Sequence, residues 1–148
     1  MTISIRPLTE DDYEAWLALW RGYLKYYRTE LADDITQTTW ARLTDAKSGI
    51  HGLCAVDEDD MPIGLVHYLF HPVTWAKAPR CYLEDLFTAT AARNTGAGRA
   101  LIEAVADAAR AKGSDQVYWL TEDYNKRAQH LYNKTAKKTV FIKYQKNL

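Results

Sequence analysis

Arg93-Asn94-Thr95-Gly96-Ala97-Gly98-Arg99-Ala100 joins a strand to a helix, and its reading decides what the rest of the chain can be. Upstream, RCYLEDLFT (80–88) reads as a long strand that begins after Pro79. Downstream, Leu101, Ile102, Val105, Ala108 and Ala109 follow helical spacing from Gly98 to Lys112, with Gly113 as the natural stop. Two glycines one residue apart let the backbone turn tightly and approach a ligand closely. The helix they open presents unpaired amides and the positive end of its dipole. Such a turn suits an anion, phosphate being the usual one, and Arg93 and Arg99 stand ready to add charge-assisted hydrogen bonds. The alternative is a helix start whose glycines serve packing alone. Two familiar phosphate loops do not fit. The Walker pattern needs Lys followed by Ser or Thr where this chain has Arg99-Ala100, and the dinucleotide fingerprint needs a third small residue and an early βαβ unit.

Working outward, ISIRPL (3–8) alternates as a short strand, and Thr9-Glu10-Asp11-Asp12 matches a capping box that opens a helix. Tyr13, Trp16, Leu17, Trp20, Leu24 and Tyr27 recur at steps of three and four, so this helix has one face built to lie on a sheet. Glu30, Asp33 and Asp34 fall in an apparent break before a second short helix carrying Trp40 and Leu43, which Ser48-Gly49 ends. IHGLCAV (50–56) and IGLVHYLF (63–70) read as two strands joined by the polar turn from Asp57 to Pro62. QVYWLT (116–121) reads as a strand, Asn125 to Lys134 as a helix, and TVFIKY (139–144) as a closing strand. The order βααβββαβαβ describes one α/β domain over residues 1–148, a mixed sheet covered by helices.

The chain has 148 residues, 47% of them apolar and 26% charged, with a formal net charge of zero. A chain of this length buries enough surface to hold a core without disulfides or structural metal. Cys54 and Cys81 lie in apolar or aromatic stretches and form no CxxC pair, the usage of a reduced protein. No apolar run approaches a membrane span, and the first residues turn acidic where a secretory signal would stay apolar, so a cytoplasmic protein without a membrane partner is expected. The zero conceals an asymmetry. Residues 1 to 60 carry six basic and twelve acidic side chains, and residues 61 to 148 carry thirteen and seven. Either the two portions face different partners or both surfaces are simply solvated. His67 and His71 fall in one strand without metal-ligand spacing, His51 and His130 stand alone, and no metal site is implied.

With the glycine turn in place, the sequence resembles the GNAT family of acetyl-coenzyme A dependent N-acetyltransferases. The family motif of Arg or Gln, two residues, Gly, one residue, Gly or Ala is met by Arg93, Gly96 and Gly98, directly after YLEDLF. A second motif, Asn, two residues, Ala, two residues, Leu-Tyr, is met by Asn125, Ala128, Leu131 and Tyr132. The separation of the motifs and the order of elements also match, over nearly the whole chain. The YLEDLF and VYWLTEDYNKRAQHLY stretches look like the small branch that includes histone, polyamine and D-amino-acid acetyltransferases. The chain departs from the pattern at Thr90, where Pro is common, at Asn94, where Gly is common, and at Ala136-Lys137, which replace a frequent Gly-Phe.

The resemblance implies a splayed sheet in which the strand at Tyr82 to Thr88 and the strand at Val117 to Leu120 part, so that backbone of Leu86, Phe87 and Thr88 is free for the pantetheine arm of acetyl-coenzyme A. It places the pyrophosphate on the amides of Asn94, Thr95, Gly96, Ala97, Gly98 and Arg99, beside Arg93, and brings Asn125 and Lys134 to the coenzyme; a solvated Lys134 is the competing reading. Transfer to an amine requires a base, because an ordinary amine with a pKa near ~10 lies about 4 kcal/mol from its reactive neutral form at pH 7. Glu84 is the candidate, directly or through water. Strict alternation puts Tyr82, Glu84 and Leu86 on one side and Leu83, Asp85 and Phe87 on the other, leaving one carboxylate for the acceptor groove, with Asp85 the alternative. Tyr132 is the candidate acid for the leaving thiolate, against a purely packing tyrosine.

In this family the first two helices and their loop form one wall of the acceptor groove, which here carries Tyr27, Glu30, Asp33 and Asp34. That suits a cationic amine such as a polyamine, a lysine side chain or an amino-acid-like molecule, unless these carboxylates are solvated loop and cap residues. Direct nucleic-acid binding is not expected, because the basic residues are dispersed and no recognition motif accompanies them. A homodimer follows by resemblance, through terminal strands such as TVFIKY. The alternative function is a non-catalytic module that senses acetyl-coenzyme A.

Overall fold

The computed structural model describes residues 2–148. Five strands, β1 (Ser4–Pro7), β2 (Ile50–Val56), β3 (Pro62–His71), β4 (Arg80–Thr88) and β5 (Val117–Tyr118), lie in that order in one sheet. The first four are antiparallel neighbours. β5 runs parallel to β4 and pairs with it only at Cys81–Val117 and Tyr82–Tyr118. Helices α1 (Tyr13–Tyr26) and α2 (Asp33–Leu43) cover one face, where Trp16, Leu19, Trp20 and Leu43 bury around Leu65. α3 (Ala97–Ala111) covers the other, setting Leu101, Ile102, Val105 and Ala109 on Val66, Tyr68, Cys81 and Leu83, and α4 (Lys126–Thr135) joins its margin through Leu131 and Tyr132. The apolar spacings thus map onto two separate cores, one per face of the sheet.

The start of α1 is fixed electrostatically as well as by packing. A short 3-10 turn, Glu10–Asp12, precedes the helix, and the Asp12 carboxylate accepts the Thr9 backbone N–H at 2.8 Å. Arg6, from β1, grips both oxygens of Asp12 at 2.8 and 3.0 Å. The Arg6 guanidinium holds the Asp12 carboxyl below its usual range, against the opposing effect of burial.

Three features differ from the sequence expectation. First, β4 does not alternate strictly. His67 pairs with Asp85 and Tyr68 with Leu83, so Glu84 faces no residue on β3 and forms a β-bulge. Leu83 and Leu86 therefore both pack toward α3, while Asp85 and Phe87 face α1. Leu86 does not share a side with Tyr82 and Glu84, and the two carboxylates are not on opposite faces. Second, α2 begins at Asp33, so Asp33 and Asp34 form its first turn, where their charge complements the helix dipole. Third, TVFIKY does not add a closing strand. Residues 139–148 carry no regular structure, and Val140, Phe141, Ile142 and Tyr144 are 93%, 83%, 75% and 89% exposed. The strand at 116–121 is likewise reduced to Val117–Tyr118, which leaves an edge too short to template the terminal segment. Among the described residues no helix is long and apolar enough to cross a membrane, and no cluster of metal-ligating side chains occurs.

Asp12→Asn is expected to cost about 2 kcal/mol in urea denaturation at pH 7, the scale of a hydrogen bond to a charged group. Because the folded carboxyl lies below its unfolded value, this contribution is present above the unfolded pKa and disappears as pH falls through the folded one. A difference between variant and parent that persists undiminished at the acid end would contradict the Arg6 pairing.

Candidate active site

Beyond Tyr82 and Tyr118, β4 and β5 part, and the backbone of β4 on that side loses its partner. The gap opens into a cleft of about 480 Å³ whose walls are the end of β4, the turn into α3, and α4. Leu86, Phe87 and Thr88 line it, as the splayed arrangement requires. The turn itself is built from left-handed residues: Asn94 has φ +63° and Gly96 +88°. Asparagine tolerates that conformation better than most side chains, which explains how Asn94 stands where glycine is common. Gly96 is the N-cap of α3, so the first amides of the helix are directed at the cleft mouth. Gly98 serves packing instead. A Cβ there would lie 3.2 Å from Leu131, so its small size lets α3 and α4 approach.

Most of the anticipated coenzyme residues meet at this cleft. Arg93, Asn94, Gly96, Ala97, Gly98 and Arg99 line it from the turn, and Asn125, Tyr132 and Lys134 from α4 and its cap. Thr95 is the exception: it is not a lining residue, and its hydroxyl donates to the Ala92 carbonyl. The Asn125 side chain caps α4 by accepting from the Ala128 amide at 3.2 Å. Tyr26, Arg127 and His130 also line the cleft and were not anticipated. Arg127 and His130 carry a signal in the sequence, since residues 127, 130, 131 and 134 recur at helical steps on the motif helix, whereas Tyr26 comes from the end of α1. Arg93, Arg99, Arg127 and Lys134 give the cleft four cationic side chains, and no carboxylate lines it. This is an electrostatic environment for a polyanion. Tyr132 sits edge-on to Trp119 at 5.4 Å, and its burial pushes the phenol up to about 12. It therefore stays protonated through neutral pH.

Glu84 and Asp85 lie just upstream on β4, on the face toward α1. Asp85 is fully engaged: its Oδ1 accepts from the Tyr23 hydroxyl at 2.6 Å, and its Oδ2 lies 2.9 Å from His67 Nδ1. His67 is 2% exposed, and its Nε2 accepts from the Trp16 indole N–H at 3.0 Å. Glu84 is exposed, and its side chain makes no hydrogen bond to any of the described residues. Crowding nevertheless strips part of the hydration of its carboxyl, and with the charge of Asp85 adjacent this raises Glu84 above the ordinary carboxylate range. Burial raises the phenols of Tyr23, Tyr82 and Tyr118, the negative charge of Glu84 adds to each shift, and Tyr82 stacks on Tyr118 at 4.9 Å.

Tyr27 lines the cleft, but Glu30, Asp33 and Asp34 are exposed and outside its lining. The start of α2 at Asp33 explains this, because the two aspartates are consumed as first-turn residues.

A model of the acetyltransferase (GNAT) family matches residues 8–136. The D-amino-acid N-acetyltransferase HPA3 of Saccharomyces cerevisiae is 38% identical over 146 residues, 98% of this chain and 91% of that protein. The thialysine N-epsilon-acetyltransferase of Bos taurus is 39% identical over 70 residues, 47% of this chain and 41% of that protein. Among solved structures, the aminoglycoside acetyltransferase AAC(6')-Iy in complex with a CoA-containing bisubstrate analogue superposes with a TM-score of 0.83 at 20% identity, covering 100% of both chains. The ribosomal-protein-alanine N-acetyltransferase of Brucella melitensis gives 0.79 at 18% identity over 99% of this chain and 100% of that one. At these identities the structural likeness is one of fold.

Replacing Asp33 and Asp34 together by Lys should leave acetyl-coenzyme A binding unchanged, because neither lines the cationic cleft, while lowering the urea midpoint slightly through the dipole of α2. A loss of coenzyme affinity in calorimetric titration would contradict that placement, and a rise in the acceptor constant alone in steady-state kinetics would put both residues in the acceptor wall.

Proposed function

The chain belongs to the acetyltransferase (GNAT) family, whose donor is acetyl-coenzyme A, and on that premise we propose that it acetylates a small primary amine by direct attack in a ternary complex. The observation that carries this reading is the division of the site. A cationic cleft with no carboxylate adjoins a strand segment that presents Glu84 beside Asp85. A polyanionic donor and a cationic acceptor are thereby kept on separate sides of one β4 bulge.

The donor residues fit the phosphates and pantetheine of the coenzyme in kind: amides at the start of α3, four cationic side chains, and the unpaired edge at Leu86 to Thr88. The donor supplies an activated thioester carbonyl. Glu84 takes the proton from the acceptor ammonium, freeing the lone pair that forms the new C–N bond. As the C–S bond breaks, Tyr132 gives its phenolic proton to the departing sulfur, and the second proton shed by the nitrogen as the amide forms restores the phenol while the first passes from Glu84 to solvent. Because Glu84 is raised, it is protonated and idle at acid pH, and activity should climb as pH rises through its value. Asp85, with both oxygens engaged, is the weaker candidate for the base.

For the acceptor, the support is chemical. The relatives named for D-amino acids and for thialysine act on amines borne by amino-acid-like molecules, and here two carboxylates and the tyrosines around Glu84 would hold an ammonium and pack its aliphatic stem. We favour an amino-acid-like or polyamine acceptor over nucleic acid. The free, buried thiols of Cys54 and Cys81 support a reducing, cytoplasmic location.

We also propose that the protein is a homodimer joined through its terminal segments, the whole chain acting as one domain per subunit. The exposed Val140, Phe141, Ile142 and Tyr144 and the short edge at Val117–Tyr118 support this, since each lacks the partner the other could provide. Light scattering should find a dimer, and ending the chain after Lys138 should give a monomer. A monomeric full-length chain at working concentration would refute the pairing.

Transfer to a panel of amino acids of both hands, polyamines and lysine peptides tests the activity. Glu84→Gln should lose roughly a hundredfold or more in kcat with little change in acetyl-coenzyme A binding, and Tyr132→Phe should lose about tenfold or more. Tight coenzyme binding with transfer to no amine would leave a sensor rather than an enzyme.

A further inference from the structure

Trp16, His67, Asp85 and Tyr23 form a continuous hydrogen-bonded chain in the core beneath α1, and nothing in the acetyl-transfer chemistry itself calls for it. Trp16 and Tyr23 project from the same face of α1, two helical turns apart, and reach down to β3 and β4. An indole N–H is only a donor, so His67 Nε2 must accept, and the ring then carries its proton on Nδ1, facing Asp85 Oδ2. Tyr23 donates to the other oxygen. Every partner in the chain is satisfied, and among the described residues no buried side-chain nitrogen or oxygen lacks a partner. His67 is too buried to touch an acceptor. Apolar residues could fill such a core at similar stability, so the polar chain asks for another reason to exist.

That reason lies one residue away. Leu83 and Leu86 are both anchored toward α3, which leaves Glu84 and Asp85 to occupy the bulge between them. The hydrogen bonds from α1 and β3 pin Asp85 to the α1 face, and with it they pin the bulge that presents Glu84. We propose, building on Glu84 as the base, that His67 and Tyr23 are positioning residues that act through Asp85 to hold Glu84 in place beside a fixed negative charge. The groups facing Glu84 are Tyr23 from α1, His67 from β3, Tyr82 and Asp85 from β4, Tyr118 from β5 and Lys143 from the terminal segment. Of these Asp85 is the adjacent anion, so removing its charge must lower the pH at which Glu84 ionises.

Two measurements separate this from the base assignment. Carbon-13 NMR of glutamate-labelled protein follows the Glu84 carboxyl whether or not it is catalytic. In Asp85→Asn its titration should move to lower pH, and the acid limb of the kcat/KM profile should move with it. His67→Leu, which removes the donor, should lose about tenfold to a hundredfold in kcat with the acetyl-coenzyme A KM unchanged. His67→Gln, whose amide can both accept from Trp16 and donate to Asp85, should recover most of that loss. Tyr23→Phe keeps the ring and tests the same link if His67→Leu does not fold; it too should lower kcat and leave the coenzyme KM alone. An unmoved Glu84 titration in folded Asp85→Asn, or parental kcat in His67→Leu or Tyr23→Phe, would overturn the positioning role. An acid limb that fails to coincide with the Glu84 titration in the parent protein would instead sink the base assignment.

Discussion

The site exists because β5 holds β4 through two residue pairs and then lets go. A strand interior normally has hydrogen-bonded neighbours on both edges, and the segment from Leu83 to Thr88 keeps only β3. Its free amides and carbonyls must find partners outside the sheet. The divergence also opens the space into which α4 places Tyr132 and Lys134, and it sets the turn before α3 at the far end of the same opening. A longer parallel pairing would fill the gap and leave neither edge nor cleft.

What surrounds the gap is sorted by charge. The cationic side chains at the cleft all come from the basic portion of the sequence, residues 61 to 148, so the neutral total conceals a locally cationic cleft. The acidic portion contributes no carboxylate to the lining of that cleft. Asp12 is bound to Arg6, and Asp33 and Asp34 start α2, so much of that charge serves folding at helix ends. Glu84 and Asp85, on β4 beside the cleft, belong to the basic portion of the chain.

The glycine turn, the two motif helices and the two-faced core were legible because they follow from periodicity and from residues whose backbone demands are local. The bulge at Glu84 was not. A one-residue slip is decided by which side chains each face will accept, and nothing within YLEDLFT distinguishes Leu83 and Leu86 on one face from strict alternation. The role of His67 is illegible for a related reason: a lone histidine in a strand carries no spacing signal, its partners Trp16 and Asp85 lie 51 and 18 positions from it in the chain, and Tyr23, the further partner of Asp85, lies 62 positions from that aspartate. TVFIKY has the composition of a strand, but composition records a capacity to pair and not the presence of an edge to pair with.

The depth at which α1 sits ties these observations together. A Cβ on Gly22 would lie 3.0 Å from the Phe87 ring, tighter than packed atoms ordinarily approach, so the helix meets β4 at a distance that only glycine permits there without the ring giving way. Tyr23 is the next residue, and its 2.6 Å hydrogen bond to Asp85 depends on that approach. Lifting α1 by even part of a methyl group would lengthen the bond from Tyr23 and the one from Trp16 to His67 together, since both donors ride on the same rigid helix. The aromatic packing of Trp16, Trp20 and Tyr23 supplies the burial that holds the helix down. A hydrophobic contact at one residue thus sets the reach of polar contacts at its neighbours, and through the bulge it sets where Glu84 stands.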